Sequence, residues 1–139
     1  MRIFFKIISI LLFITASKCA NILGIFPTPS ISHQVVFQAL MKDLAARGHQ
    51  LTILTPDLIN IKNPNVTQID LHNSYDVFRR LLNFVEYKES KKDESELLDE
   101  FLPISSILMT DQLSHPEVKK IINKEANQKF DLVILEYLT

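Results

Sequence analysis

The feature that most restricts the fold is a punctuated unit near the start of the chain, residues 20–56. Residues 20–26 (ANILGIF) form an apolar run of strand length that stops at Pro27 and Pro29. The spacing then predicts a helix over residues 32–47, because Phe37, Leu40, Met41 and Leu44 recur at i, i+3, i+4 and i+7 and define one buried face. Ser32 is placed as its N-cap, and Gly48 stands where a left-handed residue closes a helix. Residues 51–54 (LTIL) are β-rich and are followed by Pro56. A strand, a helix and a strand joined this tightly almost always form a parallel, right-handed unit. The fold class expected is therefore α/β, on a parallel sheet.

The rest of the chain continues the alternation. Residues 66–71 (VTQIDL) read as a strand, and residues 75–87 carry Val77, Leu81, Phe84 and Val85 at helical spacing. The charge run 88–96 (KESKKDESE) suits a solvated loop or helix face. Residues 97–113 read as a helix broken near Pro103. Ser114 to Glu117 has the spacing of a capping box, with Pro116 early in a last helix that runs to about Gln128. Residues 130–135 (FDLVIL) are continuously apolar, which predicts a strand buried on both faces of a doubly wound sheet. There are no internal repeats.

Composition narrows the chemistry. The 139 residues suffice for one domain, and their 47% hydrophobic and 22% charged content is that of a globular one. The only glycines, Gly24 and Gly48, are too few and too far apart for a phosphate-cradling loop. A single cysteine, Cys19, excludes an internal disulfide framework and a multi-cysteine zinc site. No two histidines fall at i, i+3 or i+4, so no metal is expected. The net charge of -1 carries no basic footprint for nucleic acid. Residues 1–20 have the form of a secretory signal peptide: Arg2 and Lys6, an apolar stretch over 7–16, then the small residues Ser17, Cys19 and Ala20. Cleavage after Cys19 or Ala20 leaves 12 basic against 16 acidic residues, a net charge of -4. No later stretch is apolar enough to span a bilayer.

In open parallel sheets ligands bind at the carboxyl ends of the strands. His33 follows the first strand, and Glu136 comes straight after the last. The positive end of a helix dipole disfavours an imidazolium at such a position, and a neutral imidazole backed by a carboxylate is a general base with its orienting partner. Any α/β fold also places ordinary solvent-facing side chains there, so the residues alone leave both readings open. His49 is read as a partner for helix C-terminal carbonyls, His72 as a loop residue, His115 as part of the capping box and Asp111 as a surface carboxylate. Asn65-Val66-Thr67 is a glycosylation sequon, or else an unmodified turn after Pro64.

Two segments together, Asn21-Ile-Leu-Gly-Ile-Phe-Pro-Thr-Pro-Ser-Ile-Ser-His-Gln34 and Leu44-Ala-Ala-Arg-Gly-His-Gln-Leu-Thr-Ile-Leu-Thr-Pro56, resemble the mature N-terminus of animal UDP-glycosyltransferases, the insect members most of all. Phe130-Asp-Leu-Val-Ile-Leu-Glu136 extends the likeness, which spans nearly the whole chain but at most the first third of the family's length. The resemblance implies a Rossmann-like parallel sheet with flanking helices, as the incomplete N-terminal half of a two-domain GT-B fold over residues 21–139. It implies inverting, metal-independent transfer from a UDP-sugar to a hydroxyl of a small lipophilic acceptor. The family's catalytic base falls on His33, with Phe26 and Ser32 beside it in the matched segment as acceptor-binding residues. The family's aspartate partner falls where this chain has Glu136, one methylene longer; the alternative is a partner beyond Thr139. The family's donor-binding half and C-terminal membrane anchor have no counterpart here, so the expectation is a fragment inactive alone, belonging to the endoplasmic reticulum lumen. The competing reading is a non-catalytic module that holds a hydrophobic ligand or docks on a partner; an unrelated secreted flavodoxin-like protein ranks below both.

Overall fold

The computed structural model describes residues 19–81, 93–125 and 128–136. The proposed signal segment, up to residue 18, lies outside them, as do Phe84, Val85 and residues 88–92 of the charge run. The elements in chain order are β1 (Asn21–Ile25), α1 (Ile31–Ala46), β2 (Gln50–Thr55), β3 (Val66–Asp70), α2 (Ser74–Leu81), α3 (Glu94–Ser114), α4 (Pro116–Ile122) and β4 (Leu132–Leu135). The four strands form one sheet in the order β3-β2-β1-β4, and every pairing is parallel. The α/β, Rossmann-like reading is thus what the chain adopts, with helices flanking a parallel sheet.

Alternation along the strands sends side chains to two apolar layers. Ile22, Leu51 and Ile53 join Met41 and Ala45 of α1, with Phe26 and Ile59, in one cluster. Leu23, Leu54 and Ile69 join Val118 of α4 and Leu71 in the other. Gly24 is needed on the first side: a Cβ there would lie 2.9 Å from the Phe26 ring and 3.3 Å from Met41 Sδ.

Helix ends are set by caps, and several differ from the sequence expectation. The N-cap of α1 is Ser30, not Ser32; its carbonyl accepts the His33 and Gln34 N–H groups, with no side-chain cap bond. Gly48 closes α1 as expected, at φ 88°, with its N–H on Ala45 O and that of His49 on Leu44 O, a Schellman pair. The buried arc of α1 is centred on Gln34, Met41 and Ala45. Leu40 lies about 100° round the helix from Met41 and is exposed, contrary to the predicted face. The α2 helix begins at Ser74, one residue before the expected start.

Asp93 caps α3 by accepting the Glu96 N–H, so the end of the charge run is a helix start. The helix then runs unbroken through Pro103. The single ladder bond that Pro103 removes is to the carbonyl of Asp99, an exposed residue, so no buried acceptor is left unpaired there. The capping box does not form: the Ser114 hydroxyl donates back to Thr110 O, His115 is the N-cap of α4, and Glu117 pairs with Lys120 instead. Pro116 does open that helix. It ends at Ile122 and not near Gln128, because Lys124 turns left-handed at φ 58° and completes a second Schellman pair with Glu125.

The largest departure is β4. Its apolar run predicts burial on both faces, yet Leu132, Val133 and Leu135 are all exposed. The cause is its place in the sheet. It is an edge strand, paired to β1 alone among the described residues. A continuous apolar run reports what a strand is suited to meet, whereas coverage depends on which elements lie beside it.

Candidate active site

Chain direction and strand order together build the site. From β1 the sheet continues one way through β2 and β3, while β4 pairs on the other side of β1. The carboxyl ends of β1 and β4 therefore flank the point where the strand order reverses, the usual ligand crevice of an open α/β sheet. Ile25 pairs with Leu135, and the Glu136 N–H donates to Ile25 O at 3.0 Å, which carries Glu136 to the end of β1. On the other side the chain leaves β1 through Pro27 and Pro29 and enters α1, whose first turn holds His33.

The two residues that the sequence singled out meet there. His33 Nδ1 lies 3.0 Å from Glu136 Oε1, and Glu136 Oε2 accepts the Thr28 N–H at 3.2 Å. The Glu136 side chain is 1% exposed, whereas that of His33 is 48% exposed. The carboxylate thus sits behind the imidazole and the ring reaches the surface. A neutral imidazole donating Nδ1–H to Oε1 keeps an unprotonated Nε2 for an incoming hydroxyl.

The loop beneath the pair is held by groups that local pattern reading passes over. Gln34 is 1% exposed; its Nε2 donates to Phe26 O and Thr28 O, and its Oε1 accepts the Thr55 hydroxyl at 2.9 Å. Gln112 of α3, also buried, donates to Pro27 O at 2.7 Å and to Ser74 Oγ at 2.9 Å. Three successive carbonyls are therefore clamped from two helices. The available signal was phase: Gln34 shares the buried stripe of Met41 and Ala45, and Gln112 lies one turn after the buried Leu108.

Other sequence candidates fall as follows. Phe26 is buried in the core and stacks on Phe37 with ring centroids 4.4 Å apart. Ser32 is exposed, its hydroxyl 3.0 Å from that of Ser30. Asn65 is exposed in the turn before β3. The His49 ring does not serve helix carbonyls; its Nδ1 accepts the Ala20 N–H at 3.1 Å and pins the start of β1. His72 Nδ1 lies 3.2 Å from Pro56 O. Asp111 is exposed, on the rim of a cleft of about 200 Å³ also lined by Asp70, Ser74, Gln112, Ser114 and His115. Near the carboxyl end of β2, the Tyr75 hydroxyl donates to Asp57 Oδ2 at 2.7 Å, and burial together with that carboxylate pushes the phenol well above its ordinary range. Among the described residues no group of three His, Cys, Asp or Glu side chains could hold a metal ion, and no helix is long and apolar enough to cross a membrane.

Comparison with known proteins finds no matching family model and no matching solved structure. It does find curated relatives along most of the chain. The ecdysteroid UDP-glucosyltransferase of Mamestra brassicae nuclear polyhedrosis virus is 32% identical over 135 residues, covering 91% of this chain and 26% of the relative. That of Spodoptera littoralis nuclear polyhedrosis virus is 31% identical over 134 residues, covering 86% and 25%. UDP-glucosyltransferase 2 of Dactylopius coccus is 30% identical over 133 residues, covering 94% and 25%. The chain spans about a quarter of the length of the curated relatives it matches.

Proposed function

We propose, from the premise that the chain belongs to the UDP-glycosyltransferase family, that it supplies the acceptor side of a sugar transfer. His33 Nε2 takes the proton of an acceptor hydroxyl as that oxygen attacks the anomeric carbon of a UDP-sugar. The new glycosidic bond forms on the face opposite the breaking bond to UDP, so configuration inverts. Glu136 holds the ring through Nδ1 and stabilises the imidazolium formed in that step. The observation that carries this reading is the 3.0 Å contact between a half-exposed imidazole and a buried carboxylate at the strand-order reversal.

The names of the relatives favour glucose as the sugar and, for the viral ones, an ecdysteroid as acceptor; for this chain they support a UDP-sugar donor and a small lipophilic acceptor. We assign the departing UDP to portions of such a protein outside these residues, because its charge needs an anion-stabilising loop and the chain has only Gly24 and Gly48. On this reading the 139 residues are inactive alone. The N-terminal apolar segment and the exposed Asn65 favour the secretory route, with residues 1–20 removed and a glycan on Asn65 in the endoplasmic reticulum lumen.

The deciding experiment joins this chain to the remaining length of a full-size relative and compares the parent with His33→Ala. Transfer is expected to fall by roughly 10²- to 10⁴-fold, the usual contribution of a positioned acid–base group, while UDP-sugar binding persists. Undiminished turnover in the variant removes His33 from the mechanism.

A further inference from the structure

We propose that Gln112, a glutamine on α3 remote from the pair in sequence, is a positioning residue for His33 and Glu136; this rests on the reading of that pair as base and orienter. The argument runs through one peptide plane. Gln112 Nε2 donates to the carbonyl of Pro27 at 2.7 Å, and the N–H across the same peptide bond, that of Thr28, donates to Glu136 Oε2 at 3.2 Å. A trans peptide is rigid, with its C=O and N–H pointing in opposite directions. Holding the oxygen therefore sets the direction of the N–H.

The second oxygen of Glu136 meets His33 Nδ1 at 3.0 Å. Gln112, the Pro27–Thr28 peptide, Glu136 and His33 thus form one continuous hydrogen-bonded chain, in which each bond polarises the next. The carbonyls on either side, of Phe26 and Thr28, are held by Gln34 from α1. The middle one alone is held from α3, 85 residues away. Both N–H bonds of the Gln112 amide nitrogen are used, one on Pro27 O and one on Ser74 Oγ, and its burial keeps water from replacing either. Without Gln112 the Pro27 carbonyl loses its anchor, the peptide plane tilts between the two carbonyls that Gln34 still holds, and Thr28 N–H is drawn off Oε2, loosening the contact that aims Oε1 at the imidazole.

The test reads the ring nitrogens of His33 by nitrogen NMR in the 139-residue chain, as wild type, Gln112→Leu, Gln112→Asn and Leu108→Ala. Leu108 is buried on the same helix, so its truncation loosens α3 without removing a bond to the loop. The wild type is expected to show a single neutral tautomer with the proton on Nδ1. Gln112→Leu is expected to lose that single tautomer and give a mixture, while Leu108→Ala retains it. Gln112→Asn, too short by one methylene to reach Pro27 O, is expected to match Gln112→Leu and carries the test where the leucine variant does not fold. A wild-type tautomer in both Gln112 variants, or an equal change in Leu108→Ala, overturns the positioning role and leaves the His33–Glu136 reading standing. A wild-type ring without the Nδ1 proton overturns both.

Discussion

His33 and Glu136 are 103 residues apart in the chain, and their side chains meet at 3.0 Å because β4 pairs directly with β1. The ring is half exposed and the carboxylate is buried, so the imidazole reaches solvent while Glu136 is shielded from competing donors.

Replacing Glu136 by Gln tests that arrangement. Oε2 accepts the Thr28 N–H and Oε1 meets His33 Nδ1, so an amide that keeps its oxygen on Thr28 turns its NH₂ to Nδ1 and forces the ring proton onto Nε2. The variant is expected to lose roughly 1 kcal/mol of stability, the difference between charge-assisted and neutral hydrogen bonds, as read by urea unfolding of the 139-residue chain. In a full-length enzyme carrying this chain, transfer should fall by about 10²-fold or more. Unchanged transfer would remove Glu136 from the role of orienting the His33 ring.

The buried Gln34–Thr55 pair is expected to behave as a unit. Gln34→Leu leaves the Phe26 carbonyl without its donor and removes one contact each from Thr28 O, which keeps the Ser30 N–H, and from the Thr55 hydroxyl, which keeps the Asp57 backbone; Thr55→Val removes the hydroxyl that serves both Gln34 and the Asp57 backbone. Each single change is expected to cost roughly 1–3 kcal/mol. The double variant should cost less than the sum, because the pair shares a bond. Strict additivity in a double-mutant cycle would refute the coupling.

The two glycines should respond to alanine for different reasons. At Gly24 the new Cβ falls 2.9 Å from the Phe26 ring in the core, which predicts a loss of about 1–3 kcal/mol from overpacking. At Gly48 the nearest atom is Cys19 Sγ at 3.5 Å, so space is adequate and only the left-handed backbone at φ 88° is penalised, by roughly 1 kcal/mol. Paired melting curves check the order; a larger loss at Gly48 would contradict it.

Tyr75 gives the chain an alkaline signature. Burial first, and then its bond to Asp57, raise the phenol in the folded state. A group with a raised folded value contributes stability that is complete below its unfolded value, near 10, and is lost as pH rises toward the folded one. Stability should therefore decline above about pH 10 in the wild type, and less steeply in Tyr75→Phe. Phenolate absorbance against pH, followed together with unfolding, measures both; early ionisation of Tyr75 in the folded chain would exclude the burial argument.

Much of this arrangement was legible beforehand because it is written in short-range patterns. The apolar spacing of α1, the left-handed close at Gly48 and the strands around Pro27 and Pro56 depend on residues a turn or two apart. The same locality explains where the structure departs from those patterns. Ser30 and Ser32 are both acceptable caps by composition, and the choice falls to the one whose carbonyl opens the helix. Ser114 matches a capping box in spacing, yet it remains inside α3 because its hydroxyl finds Thr110 O first.

The order of residues alone makes the chain α/β with parallel strands and sets a histidine and a carboxylate at two strand ends. Long-range packing makes those two ends neighbours, lets Gln34 and Gln112 clamp the loop between them, and leaves β4 at the edge of the sheet among the described residues. Range separates the two. Helix and turn signals act over three or four residues, whereas strand order follows from which apolar faces can be covered together across the whole chain. No local pattern near His33 says whether β4 or another strand will lie beside β1.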